Sequence, residues 1–370
     1  MTKLAMTGGD GFLGWHTRCA AKETGTAVED IPVGDGFNPG QARDSLQGAS
    51  RLIHFAGVNR GTDSEIADGN RLFAEQAASA LRCCGEPPAV VVYANSIQAD
   101  LNNQYGRAKL TASQILAKVA ADVGSEFIDV KLPNVFGEHG RPFYNSVVAT
   151  FCHQIAQGEH PEILEDRELT LIHAQDVADI MIGTVPPDAL EALVSQVTVT
   201  DLLSGITEIA DIYRRGEIPS VETAFARNLF NTYRSFIAQS AAAQDVVPLE
   251  KHADQRGTFF EVIRTHGGQG QTSFSTTVPG ITRGNHFHRR KVERFVVLAG
   301  KARISLRRCL SDQTLTYDVE GTSPVAVDMP TLWTHNITST GPDPLYTLFW
   351  TNDLFDPTHP DTIAEEVGAV

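Results

Sequence analysis

The opening of the chain constrains its fold more than any other stretch. Lys3-Leu-Ala-Met-Thr7 is a short β-rich run, followed at once by Gly8, Gly11 and Gly14 and by a helical pattern over Phe12–Lys22. A strand that turns through glycines directly into a helix begins a βαβ unit and commits the chain that follows to a parallel sheet. The glycines also carry chemistry. Without side chains they let backbone amides approach a pyrophosphate at a helix N-terminus, where the dipole favours an anion. Gly8, Gly11 and Gly14, with Phe12 and Leu13 at the start of the helix, are candidate cofactor-binding residues.

The same alternation continues to about Pro133. Strands are predicted at Arg51–His54, Ala89–Ala94 and Phe127–Lys131, and helices at Ala67–Leu81 and Tyr105–Ala121. Alternating strands and helices predict a Rossmann-like, doubly wound parallel α/β sheet. After about Ala243 the texture changes to short β-rich runs between Gly, Pro and Asp turns. These are Phe259–Ile263, Phe295–Leu298, Ala302–Leu306, Leu315–Val319 and Tyr346–Trp350, a pattern that predicts an all-β barrel or sandwich. The Ala-rich stretch Ser240–Gln244 marks the junction, giving domains 1–243 and 244–370. A chain of 370 residues is long enough for two cores.

Composition narrows the partners. A net charge of −15 argues against non-specific nucleic-acid or anionic-membrane binding. Five cysteines, an odd count with no CxxC pair, fit a reducing compartment. No stretch approaches the ~18 apolar residues of a membrane span, and no basic-then-apolar leader opens the chain. A soluble, cytoplasmic protein is expected. Arg283, Arg289, Arg290, Lys291 and Arg294 form a local basic cluster, most of which is expected to solvate an outer strand face.

Three further elements of the front half support redox chemistry. His54-Phe-Ala-Gly57 ends a strand in a small-residue turn, so Ala56 and Gly57 can lie against a dinucleotide. Ser96 follows the Val90–Ala94 strand. Tyr105 and Lys109 stand four apart on one helix face. A tyrosine titrates near ~10, but a nearby ammonium favours its phenolate and makes it an acid–base group near neutrality. Ser96 can hydrogen-bond a substrate oxygen while Tyr105 exchanges its proton. Asp35, 21 residues after Gly14, stands close to where an acidic residue would hold a ribose diol and favour NADH. No arginine is evident at the end of the second strand to grip a 2′-phosphate.

With these motifs the front half resembles the extended short-chain dehydrogenase/reductase family. Pro133-Asn-Val-Phe-Gly137 and Leu171-Ile-His-Ala-Gln-Asp-Val177 look like its downstream landmarks. The resemblance implies cofactor contact at Pro133 and a sugar-nucleotide substrate near Asn134. Dehydratases of that family carry an Asp-Glu pair after the active-site Ser or Thr. Ile97 and Gln98 occupy those places here, which favours ketone reduction.

The back half carries a second constellation. His286 and His288 are two apart, Glu293 is five further on, and His335 lies on another expected strand. Three histidines and a glutamate are a credible set for a divalent metal such as Zn2+. Gly280–Gly300 and Pro330–His335 resemble the two cupin signatures, with Leu332 where glycine is usual and Ser339 where asparagine is. Asp254–Glu261 and Arg283-Gly284 resemble elements of nucleotide-sugar 3,5-epimerases, which implies substrate roles for Arg256, Glu261 and Arg283. There the corresponding histidine acts as base, whereas His286 is read here as a ligand. Lys291, His266 and Tyr346 are open alternatives for the base.

End to end, the chain resembles the CapF-type family of bifunctional capsular-polysaccharide enzymes, an extended reductase fused to a cupin. Its more specific stretches are Asn95-Ser-Ile-Gln98, Tyr144–Cys152, Glu168-Leu-Thr-Leu171, Pro279–His288 and Asn352–Pro357. The resemblance implies epimerisation at C3 of a UDP-4-keto-6-deoxy-N-acetylhexosamine by a zinc cupin, then reduction at C4 with NADPH. The product would be UDP-2-acetamido-2,6-dideoxy-L-talose, a precursor of UDP-N-acetyl-L-fucosamine. It further implies a homodimer and substrate contacts by Asn145 and Arg167. The alternative is a monofunctional nucleotide-sugar reductase whose cupin binds a metal or ligand without catalysis.

Overall fold

The computed structural model describes residues 2–238, 246–255 and 257–368. The Ser240–Gln244 junction and Arg256 lie outside the described residues. In chain order the front part forms β1 (Lys3–Thr7), α1 (Phe12–Glu23), β2 (Ala27–Asp30), α2 (Pro39–Leu46), β3 (Arg51–His54), α3 (Asp63–Cys83), β4 (Val90–Ser96), α4 (Gln104–Val123) and β5 (Glu126–Leu132). Next come β6 (Asn134–Phe136), α5 (Val147–Ala156), β7 (Glu168–His173), α6 (Ala174–Ile182), α7 (Leu190–Leu193), β8 (Ser195–Thr198), α8 (Val199–Arg214) and α9 (Ala224–Ile237).

The strands after the junction are β9 (Val246–Pro248), β10 (His252–Asp254), β11 (Gly257–Phe259), β12 (Gln271–Thr277), β13 (Thr282–Phe287) and β14 (Glu293–Ala299). They continue as β15 (Lys301–Arg308), β16 (Thr314–Glu320), β17 (Val325–Met329), β18 (Trp333–Ser339), β19 (Leu345–Thr351) and β20 (Ile363–Ala364). The chain divides into two compact units, one of residues 1–135 and 169–196, the other of 136–168 and 197–370.

The first unit is built on a five-stranded parallel sheet in the order β2–β1–β3–β4–β5. Side chains alternate across it, as the strand period requires. Ala5, Leu52, Val91 and Tyr93 enter one core with α2, α3 and α4, while Leu4, Met6, Ile53, Val92 and Ala94 enter the other with α6. This is the expected doubly wound sheet. Strand order reverses at β1, and the crevice beyond the carboxyl ends of β1 and β3 is where such sheets bind ligands.

The second unit carries two five-stranded sheets, β12–β19–β14–β17–β9 and β16–β15–β18–β13–β20, with antiparallel pairing throughout. Phe295, Val297, Val327, Met329 and Leu345 of one sheet share a core with Ala302, Ile304, Leu306, Trp333 and Ile337 of the other. The all-β architecture is the expected one, but the run Phe259–Ile263 is a strand only at Phe259. Residues 260–263 have no regular structure, and Phe259 is exposed.

The basic cluster departs further from expectation. Arg289, Lys291 and Arg294 are buried. The Arg294 guanidinium forks onto Asp328 with contacts of 2.6 and 2.8 Å, and the Tyr213 hydroxyl donates to Asp328 at 2.8 Å. Arg294 also donates to the Gly216 carbonyl, and Arg234 of α9 to the Met329 carbonyl at 2.6 Å. Removing one partner of such a pair strands a buried charge at a cost of about 3–5 kcal/mol. Asp328→Ala is therefore expected to lower the melting temperature sharply in a thermal scan. The double change Arg294→Met, Asp328→Leu should recover most of the loss. A single variant that melts with the parent protein would show that the pair does not hold this region.

Candidate active site and metal centre

The glycine loop closes on backbone rather than on side chains. Gly8 has φ of 73°, and a Cβ there would lie 2.9 Å from the Ala56 amide nitrogen. A Cβ on Gly14 would lie 2.4 Å from the Gly8 carbonyl oxygen. Both positions therefore require glycine. Gly11, the N-cap of α1, makes no side-chain cap, so the first-turn amides around Phe12 and Leu13 meet no capping oxygen. Uncapped first-turn amides behind a tight turn fit a pyrophosphate. Thr7 Oγ1 bonds His54 Nδ1 at 2.9 Å and accepts from the Ala56 amide at 3.3 Å, which fixes the Ala56–Gly57 turn beside the loop.

Ser96 ends β4, with its amide bonded to Asn95 Oδ1 at 2.8 Å and its Oγ accepting from the Gln98 amide at 3.2 Å. Tyr105 and Lys109 lie on the first two turns of α4, which starts at an Asn103 N-cap. Lys109 is buried. Its Nζ donates to the Ala94 carbonyl at 2.8 Å and stands 4.5 Å from the Tyr93 ring centre. Burial pushes the ammonium down to about 8, against the pull of Asp129. Lys109 is thereby aimed by β4, at the strand end where Ser96 sits. Such a group can hold a phenol near its ionisation point and donate to a bound nucleotide.

The remaining front-half candidates are more scattered. Asn134 Nδ2 donates to the Thr170 carbonyl at 3.2 Å, and buried Pro133 links β5 to β6. Asn145 and Arg167 are exposed and belong to the second compact unit. Asp35 lies on an exposed turn, Gly34–Gly36, held to α3 by Gly34 N–H to Gln76 Oε1 at 2.7 Å. Asp30, missed from the sequence, ends β2 beside the glycine loop.

In the second unit the four proposed ligands come together. One donor atom from each of His286, His288, Glu293 and His335 lies within 4.8 Å of the others. His286 ends a β-bulge, where Gly284 and Asn285 both have positive φ and the register with β18 shifts. His288 falls one residue beyond β13, so strand alternation alone does not aim it. Its Nδ1 bonds the Asp361 carbonyl at 2.5 Å, while the Asp361 carboxylate accepts three amides, of Arg289, Arg290 and Lys291. His335 Nδ1 bonds the Trp333 carbonyl at 3.1 Å. Both rings therefore present Nε2 to Glu293 Oε2, each at 3.1 Å.

The electrostatics suit a cation. Burial alone would raise Glu293, yet the charge and hydrogen bonds of His288 and His335 hold its carboxyl well below the usual range. Burial, then the like charges of His335 and His288, push His286 down to about 3, which leaves a neutral imidazole with a free lone pair near pH 7. Three imidazoles and a carboxylate, with the outer nitrogens of His288 and His335 fixed by carbonyls, fit a divalent metal.

The other residues named from sequence do not join this cluster through any hydrogen bond described. Glu261 forks onto Arg264 at 2.9 Å twice. Arg283 donates to Thr277 Oγ1 and the Thr276 carbonyl, each at 3.1 Å. Lys291 Nζ donates to the Pro360 carbonyl at 2.7 Å, and His266 bonds Glu217 at 2.6 Å. No helix among the described residues is long and apolar enough to cross a membrane.

Comparison with known proteins agrees with both halves. Residues 84–185 match the NAD dependent epimerase/dehydratase family, and residues 252–363 the polysaccharide biosynthesis C-terminal domain. The chain is 33% identical to UDP-2-acetamido-2,6-beta-L-arabino-hexul-4-ose reductase of Pseudomonas aeruginosa, over 99% of each chain. The crystal structure of the capsular polysaccharide assembling protein CapF from Staphylococcus aureus superposes with a TM-score of 0.60 at 30% identity, covering 99% of this chain and 100% of that one. The spore coat polysaccharide biosynthesis protein SpsL of Bacillus subtilis is 27% identical over 31% of this chain and 83% of its own. The chain belongs to the CapF-type family, nucleotide-sugar enzymes of the reductase/epimerase class that join an NAD-dependent epimerase/dehydratase domain to a C-terminal polysaccharide-biosynthesis domain.

Proposed function

We propose that this protein is a bifunctional, homodimeric enzyme acting on a UDP-4-keto-6-deoxy-N-acetylhexosamine. The cupin domain, residues 244–370, inverts C3, and the reductase domain, residues 1–243, then reduces the C4 ketone with NAD(P)H. The product is UDP-2-acetamido-2,6-dideoxy-L-talose. The observation that carries this reading is the presence, in one chain, of a strand–glycine–helix opening followed by Ser96, Tyr105 and Lys109, and of a largely buried cluster of three histidines and a glutamate.

In the reductase half, Tyr105 gives its proton to the C4 oxygen as hydride arrives. Ser96 orients that oxygen by a hydrogen bond, and Lys109 favours the phenolate left behind. In the cupin half, His286, His288, Glu293 and His335 would hold a zinc ion. Bound there, the ion supplies a positive charge able to stabilise an enolate oxygen. The support is the donor set and its fixed orientation, together with the P. aeruginosa relative named as a hexul-4-ose reductase. Arg256, Glu261 and Arg283 are assigned to the substrate of this half, and Asn134, Asn145 and Arg167 to that of the reductase half.

Incubation of the 4-keto sugar nucleotide with enzyme in D2O, without NAD(P)H, should place deuterium at C3. Absence of exchange in a reductase-active preparation would leave a reductase with a non-catalytic cupin. His335→Ala should lose both C3 exchange and stoichiometric metal, read by elemental analysis; a variant keeping both would remove the metal assignment. Tyr105→Phe should cut the rate of dinucleotide oxidation by on the order of 10²–10⁴ while C3 exchange continues. The pH profile has a definite sign. The Lys109 ammonium, at about 8, is charged at neutrality and loses its proton above that value. Reductase kcat/KM should therefore hold through pH 7 and fall, approaching roughly tenfold per unit, above about pH 8. A flat profile to pH 10 would remove Lys109 from the mechanism.

A further inference from the structure

After β19 the chain returns to the histidine cluster and braces the surroundings of each histidine in turn. Asp361 adopts φ of 40°, a left-handed turn that aspartate tolerates better than most residues. That turn lets one residue act twice. Its carbonyl meets His288 Nδ1, and its carboxylate accepts the amides of Arg289, Arg290 and Lys291 at 2.8, 2.9 and 2.7 Å. A carbonyl only accepts, so in the neutral ring the proton sits on Nδ1 and the Nε2 lone pair is left for a cation. β20 then pairs with β13 at His286 and Ala364, and the Glu365 amide donates to the Asn285 carbonyl at 3.0 Å. The Glu365 carbonyl accepts from Oγ1 of Thr334, the neighbour of His335, at 2.5 Å. Asp361, Ile363, Glu365 and Val367 are turned inwards while Thr362, Ala364 and Glu366 are exposed, the alternation of a docked strand. Arg307 of β15, opposite Thr334 on β18 and itself buried, anchors the far end. Its Nε donates to the Val367 carbonyl at 2.8 Å, and its Nη2 to Glu365 Oε1 at 2.8 Å and the Glu366 carbonyl at 2.9 Å.

We propose that the segment Asp361–Val367 sets the affinity of the cluster for its metal, with Asp361 and Arg307 as positioning residues outside the donor set. The assignment rests on the metal reading of His286, His288, Glu293 and His335. Glu293 needs no such brace, since β14 is paired on both sides, with β17 and with β19. β13 has β18 on one side only, until β20 pairs with the other. Without the segment it would be an edge strand, bulged directly before His286, and His288 beyond its end would have no ladder of its own. Outer partners that hold ligating imidazoles change metal affinity by about 10–100-fold. The coupling is reciprocal. If the docked segment tightens the metal by that factor, the bound metal holds the segment docked by the same factor.

The test uses the full-length protein and Zn2+ alone. Asp361→Asn tolerates the same turn but sets a donor against the three amides. It should weaken the Kd for Zn2+, read by competition with a chromophoric chelator, by about 10–100-fold. Arg307→Met combined with Glu365→Gln frees the far end without stranding a buried carboxylate, and should weaken the Kd in the same direction. Hydrogen exchange on the parent protein needs no substitution. Saturating Zn2+ should slow exchange at the amides of Arg289, Arg290, Lys291 and Glu365 by roughly the same factor. The β15–β16 ladder, at the opposite edge of that sheet, should slow less. A Kd unchanged in both variants, or exchange at those four amides that ignores Zn2+, overturns the assignment. A parent protein that binds no Zn2+ defeats the metal reading, and the role of the segment with it. Tight binding shared equally by the parent and both variants defeats the role of the segment alone.

Discussion

The buried Arg294–Asp328 pair fixes the register on which the cluster of His286, His288, Glu293 and His335 depends. Arg294 faces Asp328 across the β14–β17 ladder, and Glu293 faces Met329 one step earlier. Neighbouring residues of a strand point to opposite faces. With Arg294 committed to Asp328, Tyr213 and the Gly216 carbonyl on one face, Glu293 is committed to His288 and His335 on the other. A slip of one residue would exchange the faces, burying a guanidinium among imidazoles and removing the carboxylate. Two charges buried together gain little net stability over apolar substitutes. Their value here is specificity of register.

Both candidate centres use backbone carbonyls to aim buried cationic or ligating groups. Lys109 donates to Ala94, His335 is bonded to Trp333, and His288 to Asp361. A carbonyl on a strand or a tight turn moves less than a side chain, so each functional atom inherits the rigidity of the fold. The arrangement differs at Glu293, which is held by the imidazoles themselves. A cation entering the cluster would replace two hydrogen bonds at that carboxylate with direct ligation, and the outer shell would need no rearrangement.

What could be read from the sequence was what neighbouring residues encode. The strand–glycine–helix opening and the Tyr105–Lys109 spacing depend on a few adjacent residues. The expected helices match α1, α3 and α4 closely for the same reason. β2 was missed because Ala27-Val-Glu-Asp30 is short and half exposed, with no apolar run to mark it. β12, Gln271–Thr277, is a polar edge strand whose identity comes from pairing with β19, a partner about 70 residues away in the chain. The arginines after His288 looked like a solvated face, because nothing local shows that Asp361 and Asp328 arrive to meet them. Leu332 was a visible departure, and the structure accounts for it. It adopts φ of 63°, with its amide bonded to the His288 carbonyl at 2.8 Å and its carbonyl to the Cys309 amide at 3.0 Å. Those two bonds offset the strain that a glycine would avoid.

The chemistry of the proposed substrate imposes an order on the two centres. A proton at C3 is acidic only while C4 is a ketone, because the carbanion left by its removal is delocalised onto the C4 oxygen. Hydride transfer to C4 ends that delocalisation, so any inversion at C3 must precede it. The two steps ask for opposite things at the same oxygen. Inversion needs charge on the oxygen stabilised while the C–O bond regains its carbonyl character afterwards, which a fixed positive centre provides. Reduction needs the oxygen protonated once and left, which a phenol beside an ammonium provides. A single pocket would have to meet both demands at one oxygen. Separate centres, one of imidazoles and a carboxylate, the other of Ser96, Tyr105 and Lys109, avoid that conflict.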